Sequence, residues 1–146
     1  MYSSSQIIRA ISLSVAISWG VCGCAHDTGT YRTLREARSP DGALLAQLVQ
    51  RESRAALSSD TFFAVLSRDR LDAGSLHLAY QERERPFLDV THGAELLLNW
   101  TGPKELEISC NSCGLEKIDV MTKRPAVNGI SISYTGFPVG TAYSDK

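Results

Sequence analysis

Along the second half of the chain, apolar and polar residues alternate one by one. Leu96, Leu98 and Trp100 fall on one face of an extended segment, and Leu106, Ile108 and Cys110 share a face with Glu105, Glu107 and Ser109 opposite. Ile118 and Val120 alternate with Lys117 and Asp119, and Ile130, Ile132 and Tyr134 with Ser131 and Ser133. A period of two, repeated over successive segments with turns such as Thr101-Gly102-Pro103 between them, predicts antiparallel strands with one face buried. Upstream the pattern is denser. Ala43-Leu44-Leu45-Ala46-Gln47-Leu48-Val49-Gln50-Arg51 is nearly continuous in apolar residues, and Thr61-Phe62-Phe63-Ala64-Val65-Leu66-Ser67 is aromatic and β-branched, as central strands are. Residues 52–60, rich in Ser and Ala, read as the loop between them.

The remaining segments are less regular. Ser75-Leu76-His77-Leu78-Ala79-Tyr80 reads as an alternation of apolar and mixed residues. Gln81-Glu82-Arg83-Glu84-Arg85 is a solvated run of alternating charge that Pro86 brings to an end, and Phe87-Leu88-Asp89-Val90 is a short apolar segment before a turn at Thr91-His92-Gly93. The stretch 31–38 leaves two readings open: one helical turn carrying Leu34 and Ala37, or a strand entering the first hairpin. No segment beyond residue 23 keeps a 3.6-residue period for three turns. The pattern therefore predicts a mostly-β domain, a small antiparallel sandwich or curled meander sheet of about seven or eight strands.

Ser39-Pro40-Asp41-Gly42 is the sharpest turn signal: Pro presets φ, Asp can bond local backbone, and Gly accepts a positive φ. Placed before a long strand, it is similar to the blade hairpin of TolB-like and WD40-like propellers. It occurs once, however, and a propeller needs at least about four blades of roughly 40 residues.

The N-terminus predicts location. Arg9 precedes a weakly apolar run over 10–21, whose dozen residues would reach roughly 18 Å as a helix, short of a hydrocarbon core near 30 Å. A basic start, a short apolar stretch and small residues at its end describe a secretory signal. Val21-Cys22-Gly23-Cys24 resembles a bacterial lipobox, with an aliphatic residue at minus three and small residues at minus two and minus one before Cys24. Cys22, preceded by Trp19, Gly20 and Val21, fits poorly. The expected division is a signal peptide over 1–23, a lipidated N-terminus and tether over 24–38, a β domain over 39–136 and a loose tail over 137–146. Ordinary signal cleavage releasing a soluble protein is the alternative.

The S-P-D-G turn, the long strand, the R-E-S-x-A loop, the W-x-G-P-x-x-L-x-I-x-C strand and the final I-x-I-x-Y strand together resemble a small uncharacterised family of bacterial envelope lipoproteins. The resemblance covers 39–134. That family's pattern has R-D-C-G-A after the first long strand, where this chain has Arg51-Glu52-Ser53-Arg54-Ala55 and no cysteine. The resemblance implies a fold and an envelope location, and no chemistry.

Charge narrows the partners. Arg9 is the only charged residue of 1–23, so the remainder keeps 14 of the 15 basic residues against all 16 acidic ones, a formal charge of −2. Signs are interspersed, so there is no footprint for nucleic acid and no basic cluster for anionic lipid. Membrane attachment would come through the lipid on Cys24, and the other partner expected is an envelope protein. Ala25 stands where an aspartate commonly retains such proteins at the inner membrane, which favours the outer membrane on its periplasmic side.

Cys110-Asn111-Ser112-Cys113 is the one constellation able to carry chemistry. In an oxidising compartment it is expected to close as a structural disulfide at a hairpin turn. A redox-active pair would need a helix N-terminus or nearby cation to hold a thiolate, and Lys117-Ile118-Asp119-Val120 alternates as a strand instead. A metal site would have to recruit His77 and His92, which lack the usual H-x₃₋₅-H spacing. No metal and no cofactor is expected. Neither a G-x-S-x-G elbow, H-E-x-x-H, a phosphate-binding loop nor a dinucleotide fingerprint occurs. The leading expectation is a lipid-anchored structural or interaction module. A periplasmic thiol-redox or metal-handling protein using Cys110 and Cys113 is second, and a hydrolase third.

Overall fold

The computed structural model describes residues 29–53, 60–82, 85–91, 95–111, 113 and 118–138. The signal peptide, Cys24, His92 and most of the expected tail lie outside the described residues.

The chain opens with β1 (Thr30–Arg38) and β2 (Leu45–Glu52), antiparallel to one another. Of the two readings of 31–38, the strand is the one observed, so the boundary drawn at 38/39 falls inside the first hairpin. The S-P-D-G turn joining them works as its residues suggest. Gly42, at φ 74°, donates to the Ser39 carbonyl at 2.8 Å. Asp41 Oδ1 accepts from the Ser39 hydroxyl at 2.6 Å and the Ala43 amide at 3.1 Å. Those bonds, that from Ser39 first, hold the Asp41 carboxyl below its ordinary pKa.

β3 (Thr61–Ser67) pairs with β2, and β4 (Leu88–Thr91) pairs with β3 on one side and with β7 (Val120–Lys123) on the other. These five form one antiparallel sheet in the order β1-β2-β3-β4-β7. The second sheet is β5 (Leu96–Gly102), β6 (Glu105–Cys110), β9 (Ile130–Thr135) and β8 (Ala126–Val127), in the order β5-β6-β9-β8. Its β6 and β9 run parallel.

A mostly-β fold is what the structure shows, with two refinements. The alternating segments that follow Leu96 divide between the two sheets, because the chain crosses over after β6 to place β7 beside β4 and then returns through Arg124 and Pro125. That return sets β9 parallel to β6, since two strands separated by a crossover are free of the hairpin's antiparallel constraint. Asn128-Gly129, at φ 49° and 78°, makes the tight turn between β8 and β9.

The second refinement is a helix. Ser75-Leu76-His77-Leu78-Ala79-Tyr80 belongs to α1 (Ala73–Gln81), a correction to its reading as a strand-like alternation. Asp72 caps the helix by accepting from the Ser75 amide at 2.8 Å. Leu76 and Ala79, one turn apart, are its buried residues, and Leu78 faces out, 57% exposed. With an apolar stripe so narrow and fewer than three turns, no helical period stands out.

α1 gives the first sheet two buried faces. Toward the second sheet, Ala46, Leu48, Phe62, Ala64, Leu88 and Val90 pack in one core with Leu96, Leu106, Ile108, Ile130 and Ile132. On the outer side, Val49, Phe63 and Val65 pack with Leu76 and Ala79 of α1. Double coverage explains why 45–49 and 62–65 are buried without alternation. Gln47, fully buried, holds the α1 approach in place: its Oε1 accepts from the Leu71 amide at 2.9 Å.

Candidate functional site

Cys110 and Cys113 lie at disulfide distance, their Cα atoms 5.5 Å apart, where β6 ends and the chain turns toward the first sheet. Alternation along β6 turns Leu106, Ile108 and Cys110 inward, and Cys113 joins them in the core between the sheets. Cys110 is 5% exposed and Cys113 1%. The Cys113 amide also donates to Cys110 Sγ at 3.1 Å. Gly136, just past β9, packs against this turn at φ 81°, and a Cβ there would run into the Cys110 carbonyl oxygen.

Among the described residues, no helix begins beside the cysteine pair to lower a thiol pKa. α1 begins in the other layer, its capping group Asp72 serving the Ser75 amide. His77 is also there, its Nδ1 3.2 Å from the Tyr31 hydroxyl and its ring edge-on to the Tyr31 ring. The first sheet therefore stands between His77 and the cysteines, and the metal set of Cys110, Cys113 and His77 does not come together. Among the described residues no group of three or more His, Cys, Asp or Glu is placed to hold a metal.

The outer layer contains a second cluster, one that sequence reasoning did not single out. Tyr31, Phe63 and Tyr80 pack with ring centroids 5.0–6.2 Å apart. The Arg51 guanidinium lies over the Tyr80 ring at 5.0 Å. On the same sheet face, Asp89 pairs with Phe63, and Thr61 with Thr91. Asp89 Oδ1 and Thr61 Oγ1 are both shut away from solvent without a hydrogen-bond partner. Burial pushes the Asp89 carboxyl up to about 6, with Arg51 pulling the other way. The available signal was an acid inside the apolar run Phe87-Leu88-Asp89-Val90.

Two further groups tie the layers. Trp100 Nε1 donates across the sheets to the Ala37 carbonyl at 2.9 Å, covering the β1 edge. The Tyr134 hydroxyl sits between the carbonyls of Arg124 at 2.7 Å and Phe87 at 3.1 Å, and burial raises its pKa. An open groove of about 390 Å³ runs between β1 and the start of α1. Its polar residues are engaged already: Arg70 pairs with Glu36 at 2.6 Å, Arg32 donates to Gln50 at 3.3 Å, and Asp72 caps the helix.

Among the described residues, these features define a small two-sheet β protein with one helix on its outer face and a buried cysteine pair at the crossover. No family model, curated protein or solved structure matches the chain.

Proposed function

We propose that the chain is a lipid-anchored module of the bacterial cell envelope, held to the membrane through Cys24 and acting by structure or interaction rather than by catalysis. The observation that carries the reading is Val21-Cys22-Gly23-Cys24 followed closely by a folded sheet, since β1 begins at Thr30. Only 25–29 then remain as tether, five residues that reach at most about 18 Å when extended. Such a tether keeps the domain against the headgroups, where its partner would be another envelope protein. Ala25 after the lipidated cysteine favours the outer membrane, on its periplasmic side. The near-neutral surface supports no role on nucleic acid.

Cys110 and Cys113 serve this reading as a structural disulfide that clips the crossover between the sheets. Their burial supports it, because an exchange reaction needs an accessible sulfur. The test is maturation in the native host. Cys24→Ser should accumulate as uncleaved precursor, whereas Cys22→Ser should mature and fractionate with membranes like the unchanged protein. Normal processing of Cys24→Ser refutes the proposal.

A further inference from the structure

We propose that Asp89 is a proton-operated latch on the edge of the first sheet: with its carboxyl neutral, β7 is held firmly against β4, and with the carboxyl charged, β7 comes away more readily. The geometry points to it. β4 has four residues and pairs on both sides, so Asp89 stands directly between Phe63 of β3 and Thr122 of β7. Its Oδ1 meets neither solvent nor a donor, and Thr61 Oγ1, at the diagonal position on the same face, is equally orphaned. Asp89 is half-buried, and on the Oδ1 side its carboxylate loses hydration without replacement, whereas the neutral acid loses far less.

Among the described residues, the charged or titratable groups around Asp89 are few. β2 contributes Arg51, whose guanidinium is already over Tyr80 of α1. β3 contributes Thr61 and Phe63, β4 itself Thr91, and β7 Thr122, none of them charged. Lys123, the next residue of β7, turns to the rings of Tyr134 and Phe137. Arg51 offsets the burial only in part, and the carboxyl remains raised to about 6.

The side that yields is set by the sheet. β3 is a central strand buried on both faces, with Phe63 at 0% exposed. β7 is an edge strand of four residues, half-buried or exposed, whose pairing with β4 shifts register between Asp89 and Val90. Opening there is the cheapest way to return Asp89 to water. Because the folded value exceeds the ordinary 3.8, proton binding contributes stability fully below that value and loses it as pH rises through about 6.

Amide hydrogen exchange on the full chain, corrected for intrinsic rates, tests the latch. Between about pH 5 and about pH 7.5 the amides of Val120–Lys123 should lose about tenfold in protection, from the linkage of a single carboxyl, while β2 and β3 amides hold theirs. Asp89→Asn should flatten the dependence. Arg51→Met, which leaves the carboxyl without its counter-charge, should carry the fall to higher pH. His77→Gln, removing the only described histidine, should change nothing. No fall in the unchanged protein overturns the proposal, as does an equal fall in Asp89→Asn or a fall shared by every strand. If Asp89→Asn does not fold, the Arg51→Met arm decides, and a pH dependence identical to that of the unchanged protein overturns it.

Discussion

A backbone carbonyl tolerates little crowding, and Gly136 is where this chain depends on that most. Its positive φ and its approach to the Cys110 carbonyl leave no space for a side chain. Gly136→Ala should therefore cost at least about 1–3 kcal/mol from the backbone conformation alone, read from the urea midpoint. Ile108 tests the core at the same scale. It is fully buried between the sheets, and Ile108→Ala should cost about 2–5 kcal/mol by the same measurement, whereas a value near zero would contradict the packing described. The burial of Ile108 and Cys110 is legible from the alternation of β6, because a period of two assigns each residue to a face. Asp89 is not legible in that way. What covers it comes from β3 and β7, far apart in sequence, so an acid inside Phe87-Leu88-Asp89-Val90 marks a candidate without telling a half-buried carboxyl from an exposed one.

Elements show the same division between local and distant causes. The turn over Ser39-Pro40-Asp41-Gly42 is readable because the bonds that make it are local, those of Ser39, Asp41 and Gly42 within 39–44 and one from the neighbouring Arg38 to the Gly42 carbonyl. The strands β2 and β3 are readable as dense apolar runs, though the reason for the density is the helix laid over them. α1 itself is not, since its buried stripe reduces to Leu76 and Ala79 and an outward Leu78 disguises it. The sequence does hold one sign of it, Asp72 three residues before Ser75, the spacing of an N-cap bond. Asp72→Ala should lower the urea midpoint modestly and reduce the helical signal in circular dichroism, with the strand signal retained. An unchanged stability would mean the cap does not hold α1. Strand neighbours are the least legible feature. Alternation identifies the inward face of β6 and β9 but not that they pair in parallel, which follows from the crossover through β7.

At the scale of the molecule, two sheets share a core, α1 covers one outer face, and the crossover that sets β7 beside β4 carries the buried cysteine pair. Trp100 and Tyr134 bind the same layers with hydrogen bonds to carbonyls distant in sequence. That construction suits a rigid module, and with β1 starting at Thr30 the module would begin only a few residues from a lipid on Cys24. Lipid anchor and disulfide are both read in one measurement, the intact mass of the protein extracted from cells and alkylated under denaturing conditions without reductant. The expected species is a chain beginning at Cys24, carrying acyl mass, with Cys110 and Cys113 oxidised and unlabelled. An unacylated chain, or one labelled at both Cys110 and Cys113, would overturn the lipid anchor or the structural disulfide respectively.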